Sequence, residues 1–259
     1  MQLFRWIAGA ALLVLMSSSF ADPPIPRVVW VRPSAGDVPA NLLRISIEFT
    51  KPPRGAVLPR LALMDAGGGR VREPFLQQEL WSPSGKILTV MMHPGRVKTG
   101  LIAREEWGPI LIVGDVVTLT LDGSPIKQWR VGPTDSDGPS VSAWKLSPVR
   151  AGSKQPLVVT LDAAIDGRDV HHLAIADDHH RPVEGRAELT NGECTWKFTP
   201  KGPWHAGEYK LVARSTLEDP AGNRLGGHFE TPIDSPRALE ADAKVAFFAR
   251  LNGTAATAD

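Results

Sequence analysis

Hydrophobic and polar residues alternate along most of this chain in short runs. In "LLRISIEF", Leu43, Ile45, Ile47 and Phe49 alternate with Arg44, Ser46 and Glu48. "PLVVTLD", "TWKFTP" and "EYKLVAR" repeat the pattern, and "DVVTLTLDG" ends on a turn pair. The runs have strand length, roughly four to eight residues, with Gly, Pro, Asp or Asn at their ends. Period-two alternation buries one face of a strand and wets the other. Regular strand spacing with turn signals predicts an all-β protein built as β-sandwiches.

An internal repeat sets the number of sandwiches at two. "LALMDAGGGRV", Leu61 to Val71, aligns without gaps on "LAIADDHHRPV", Leu173 to Val183. Leu, Ala, Asp and the final Val coincide, and Leu63 faces Ile175. His179 and His180 then occupy the places of Gly67 and Gly68, where a hairpin tip favours positive φ. Downstream, "ELWSPSGKILTVMMHP" and "ELTNGECTWKFTP" share a Glu-Leu start, a turn, a strand and a closing Pro. Two copies of one sandwich are expected, over residues 26–132 and 141–234. The polar, Gly/Pro-rich residues 133–140 between them read as a linker. Past Pro232 the pattern changes. Asp234 or Ser235 offers a helix cap and Pro236 a first turn, while Leu239, Ala243, Ala246, Phe247 and Arg250 share one side. A short C-terminal helix and tail are therefore expected over 235–259.

Composition sharpens this picture in three ways. The first 21 residues, with Arg5, the apolar run "IAGAALLVLM" and "SSSFA", read as a secretory signal cut after Ala21. That predicts a periplasmic or secreted protein with no transmembrane segment after cleavage. A single cysteine, Cys194, excludes an internal disulfide, so each domain must rest on its own apolar core. A net charge of +1 gives no global attraction to nucleic acid. The 24 glycines and 23 prolines are dispersed as punctuation, which fits many turns rather than disorder.

Candidate chemistry is sparse. "HHLAIADDHH" places four of the seven histidines at the two ends of ten residues. With "HLAIA" as a strand rising roughly 3.3 Å per residue, the two pairs stand too far apart to share one ion. His179 and His180 with Asp177 and Asp178 remain a possible exposed metal site, against a plain solvated tip. "PGRVKTG" presents Arg96 and Lys98 as candidate anion contacts, against an exposed basic loop. Trp81 and Trp107, beside turns, are the candidate aromatic binding residues, against ordinary packing. The chain has no His-Glu-x-x-His, Gly-x-Ser-x-Gly, P-loop or Gly-x-Gly-x-x-Gly motif, so no enzyme activity or cofactor is expected. "EDPAGN" offers too few oxygens for calcium and reads as a structural turn.

The segment "FTPKGPWHAGEYKLVARSTLEDPAGNRLGGHFE" resembles the closing half of a bacterial Ig-like domain of the SbsA type. Pro200, Gly207, Tyr209, Leu211, Asp219, Ala221, Gly222 and Asn223 carry the likeness. "VPANLLRISIEFTKP" and "ELWSPSGKILTVMMHPGRVKTGL" resemble a group of secreted bacterial proteins with tandem domains of this kind. The first copy departs at its close, where it has "LDGSPIKQ" in place of "LEDPAGNRLGG". The resemblance implies a tandem Ig-like fold and export. The expected role is a non-enzymatic binding or structural module of the cell envelope, meeting an envelope protein or polysaccharide. The alternative is a periplasmic copper-binding domain of the CopC-like type. The mature start "DPPIP" lacks that family's leading His, and its Asp-Gly-His is missing here.

Overall fold

The structure, a computed structural model, describes residues 24–225 and 241–251; the expected signal segment lies outside them. The chain is all-β and forms two sandwiches. The first contains β1 (Val28–Arg32), β2 (Asp37–Pro39), β3 (Arg44–Phe49), β4 (Leu61–Met64), β5 (Phe75–Trp81), β6 (Ile87–Met92), β7 (Val116–Leu121) and β8 (Ser124–Gly132). Its sheets run β1-β3-β6-β5 and β2-β8-β7-β4. The alternation in β3 and β6 aims Ile45, Ile47, Phe49, Leu88, Val90 and Met92 at one core, where Trp129 is also buried. Two short helices, α1 (Pro94–Val97) and α2 (Ile102–Trp107), interrupt the strands after β6.

The second sandwich contains β9 (Lys145–Leu146), β10 (Val149–Arg150), β11 (Leu157–Thr160), β12 (Leu173–Asp177), β13 (Gly185–Thr190), β14 (Thr195–Pro200), β15 (Gly207–Ala213) and β16 (Ala243–Arg250). Its sheets run β13-β14-β11-β9 and β10-β16-β15-β12. A separate aromatic core holds it together: Trp196 stacks on Phe198, and Trp204 meets Tyr209 edge-on. Each fully buried indole finds an acceptor, Trp196 at Val170 O and Trp204 at Gln155 O, as burial demands.

β16 corrects the expected C-terminal helix. Residues 235–240 lie outside the described residues, but Ala243–Arg250 form a strand between β10 and β15. Phe247 decides the matter: it stacks on Tyr209 at 5.6 Å and meets Trp204 at 5.9 Å. The same residues also alternate with period two, Ala243, Val245, Phe247 and Ala249 lying further inside than their neighbours. An open sheet edge beside β15 selects that period over the helical one, because pairing satisfies backbone groups that would otherwise stay unmet. The second sandwich thus draws on residues beyond 234. His171 and His172 also differ from expectation. They end a 3-10 turn, Gly167–His172, rather than begin the strand.

Candidate functional site

One turn recurs three times. After Asp65, Asp177 and Asp219 the chain closes a loop in which the Asp amide donates to the carbonyl four residues on. The Asp carboxylate accepts the amide of that same later residue: Gly69 at 2.7 Å, Arg181 at 2.8 Å and Asn223 at 2.9 Å. The fourth residue of each turn has positive φ: Gly68 at 80°, His180 at 65° and Gly222 at 88°. His180 therefore does replace a glycine, in the same backbone conformation. Two of the turns are exposed at sheet ends. The third is buried: Asp219 is 1% and Asn223 2% accessible, and the first sandwich covers them.

That burial builds a joint between the sandwiches. Leu43 N donates to Pro220 O at 2.9 Å, a backbone bond from one unit to the other. Asn223 Nδ2 donates to Asp219 Oδ2 and to the linker carbonyl of Asp135, which also accepts from Asn41. The supposed linker is thus pinned at Asp135 from both sides. Beside it, Arg44 extends from β3 and is buried. Its Nη1 lies 3.0 Å from Asp166 Oδ2 and its Nη2 2.7 Å from Glu218 Oε2. Arg32 Nη1 donates to Gly167 O at 2.7 Å, and its Nε is 3.5 Å from Glu193. Glu193 also accepts the Ser34 amide at 2.8 Å. Gly167 admits no side chain here, since a Cβ would stand 2.3 Å from Arg32 Cδ.

The first sandwich contributes cations to this contact and the second contributes carboxylates. Such complementarity fixes register and orientation more than it adds affinity. The cluster also retains protons. Burial pushes the Asp166 carboxyl up to about 8; Arg44 opposes this, while Asp169, Glu218 and Asp219 reinforce it. Burial raises Asp219 to about 6 against its hydrogen bonds from Asn223. It raises Asp169 too; that carboxylate accepts the Glu218 amide and faces His172 Nδ1 at 3.3 Å. Near neutral pH, Asp166 therefore carries a proton beside the Arg44 guanidinium. The paired groups leave a space of about 10 Å³ among Arg32, Arg44, Asp166 and Glu193, room for about one water.

The residues singled out from sequence lie elsewhere. Arg96 is buried, and its guanidinium donates to the carbonyls of Arg72, Trp107, Gly108 and Pro109. It ties α1 and α2 to the body of the sandwich and is not available to an anion, because a buried guanidinium must saturate its donors at home. Lys98 is half-buried at the end of α1. Trp81 packs on Phe49 at 6.1 Å and donates to Glu79. Trp107 is 37% exposed, under the Arg72 guanidinium and edge-on to His93. His179, His180 and Asp178 are exposed. Asp177 is engaged by Arg181 and by the His179 and Arg181 amides, which holds its carboxyl below the usual range. Among the described residues no three His, Cys, Asp or Glu groups gather as a metal would require. Sequence reasoning missed Arg44, Asp166 and Glu193. Arg44 and Ser46 fall on the expected wet face of β3, but both are buried, Arg44 in the joint and Ser46 against Thr89.

No family model matches the chain, and no curated protein does. Solved structures with some likeness include the I-band fragment of titin, at 12% identity and a TM-score of 0.27. That match covers 88% of this chain and 66% of the fragment, so the chain spans about two thirds of it. An L,D-transpeptidase from Mycobacterium smegmatis is similar at 13% identity and TM-score 0.29, over 86% of this chain and 73% of that one. The tandem Ig repeats of Dlar are similar at 11% identity and TM-score 0.24, over 75% and 94%. These scores carry no functional argument. The Ig-like, all-β character is read from the strands and the paired sheets. Among the described residues no helix is long and apolar enough to cross a membrane.

Proposed function

We propose that this chain is an exported, non-enzymatic Ig-like protein, a binding or structural module of the bacterial cell envelope. The observation supporting a module is the joint. Its charged groups find their partners across the two sandwiches and hold them as one body that presents its loops and edges in fixed relation. Loops at sandwich ends and unpaired sheet edges are where such folds meet partners. Export is supported by the amino-terminal basic residue, apolar run and small-residue site. The partner is an envelope protein or polysaccharide.

Two measurements test the two halves of this reading. Expressed with its full amino terminus in a bacterium, the protein is expected in the periplasmic fraction with an intact mass that starts at Asp22. A full-length product confined to the cytoplasm rejects export. Small-angle scattering of the mature protein should fit one rigid shape, and Arg44→Ala should broaden it. A wild-type profile that already needs many domain orientations removes the rigid-module reading.

A further inference from the structure

The open side of the first sandwich, between β4 and β5, holds a groove of about 390 Å³. That volume is in the ordinary range of ligand clefts, about 300–1,000 Å³. Its floor is apolar and buried: Leu58, Leu61 and Phe75. Its rim carries Arg70 and Arg72, both exposed. Among the described residues neither guanidinium has a carboxylate within 4.0 Å. Arg70 reaches the Leu61 carbonyl at 3.5 Å, and Arg72 lies over the Trp107 ring at 5.1 Å. The adjoining acid, Glu73, sits where its charge favours the buried Arg96. The backbone that carries the rim is itself fixed, because Arg96 donates to the carbonyls of Arg72 and Glu73.

The second sandwich shows that these charges are not a consequence of the fold. In the aligned turn, Gly69 and Arg72 correspond to Arg181 and Glu184. There Asp177 holds Arg181 at 2.8 Å and Lys201 holds Glu184 at 2.8 Å. The second copy neutralises its turn, whereas the first leaves two cations above an apolar floor. The groove also has a polypeptide wall out of register. β5 pairs with β6 at Phe75 and again at Glu79, and the shift between them takes Leu76, Gln77 and Gln78 out of the ladder. Gln77 lines the groove and Leu76 is exposed beside it. Irregular main chain next to an apolar trough suits an extended peptide, which brings matching amides and carbonyls, better than it suits a lipid tail.

We propose that this groove receives an extended segment of a partner protein, an apolar side chain on the floor and an adjacent Asp or Glu between Arg70 and Arg72. This rests on the binding-module reading and names its partner chemistry. Selection of a random peptide display library on the mature protein tests it. Enriched sequences are expected to place an acidic residue beside an apolar one. By fluorescence anisotropy, their affinity should fall about tenfold or more in R70Q/R72Q, and also as salt rises. An R181Q/R186Q variant removes the same charge from the second sandwich and should bind as the wild type does. Both rim arginines are exposed, so the variants should keep the wild-type melting temperature. No enrichment, or peptides bound equally by R70Q/R72Q, overturns the proposal. Neither result bears on export or on the rigidity of the joint, which are read by mass and scattering.

Discussion

The turns at Asp177 and Asp219 share a backbone and differ in everything around it. Both close with the same amide-to-carbonyl bond and the same carboxylate contact four residues on. At Asp177 the carboxylate faces solvent and an exposed arginine, so its hydrogen bonds compete with water. At Asp219 the first sandwich removes that water, and the same bonds organise a contact between domains. The first sandwich has one such turn, at Asp65, and lacks a second. It closes instead on Asp122 and Gly123, both at positive φ, in a two-residue hairpin. The difference teaches that local sequence sets the turn and burial sets its weight.

The sharpest way to break this comparison is Arg44→Ala. It leaves the buried Asp166 without its donor and the half-buried Glu218 with only the exposed Arg224, at 3.3 Å, and the loss should be about 3 kcal/mol. Urea unfolding should show that loss. A change near zero would mean that the joint is wet and no different from the exposed turn.

Alanine at each turn aspartate sharpens the contrast. At pH 5, Asp219→Ala should cost about 1–3 kcal/mol, because Asn223 loses buried acceptors. Asp177→Ala should cost only a small part of that by the same urea titration. Equal losses at both positions would place the turn's value in its backbone rather than in its burial.

The pH dependence has a definite sign. Asp166, Asp169 and Asp219 all have folded-state pKa values above their unfolded ones, so the folded chain holds protons that the unfolded chain releases. Their contribution is greatest below the unfolded carboxylate range and is lost as pH rises, through about 6 for Asp219 and about 8 for Asp166. The melting temperature should therefore fall between pH 5 and pH 8.5. Asp166→Asn, neutral at every pH, should flatten the upper part of that slope, which is at most about 1.4 kcal/mol per pH unit for one proton. An unchanged slope in that variant would place the titration elsewhere.

The smallest effect concerns His180. Its φ of 65° is the conformation that Gly68 adopts in the first copy. His180→Gly should stabilise by about 0.5–1 kcal/mol, the strain relieved less the added freedom of the unfolded chain. Gly68→Ala should do the reverse by a similar amount in thermal melts. Opposite signs would mean that the two tips are not equivalent.

Much of the fold was legible because strands advertise their buried face. Ile45, Ile47 and Phe49 alternate and are buried, and the paired turns after Leu63 and Ile175 align residue by residue. The candidate site was far less legible. Arg44 reads as a solvent-facing strand residue, since alternation reports which face points inward and not what covers the other. Asp219 and Asn223 were visible as a turn, but nothing in "EDPAGN" says that a second domain lies on it. Arg96 read as an exposed cation because its acceptors, from Arg72 to Pro109, come from segments on both sides of it in the chain.

The sequence by itself determined the strands, the duplication, the positions of the turns and the two separate apolar cores, all of which depend on neighbours along the chain. The tertiary structure alone decided that residues 243–250 form a strand, that Asp135 is pinned, and that Arg44 meets Asp166 and Glu218. Period and turn chemistry are local, whereas the dielectric around a charge and the partner of a sheet edge are set by residues distant in the chain, 122 positions apart for Arg44 and Asp166.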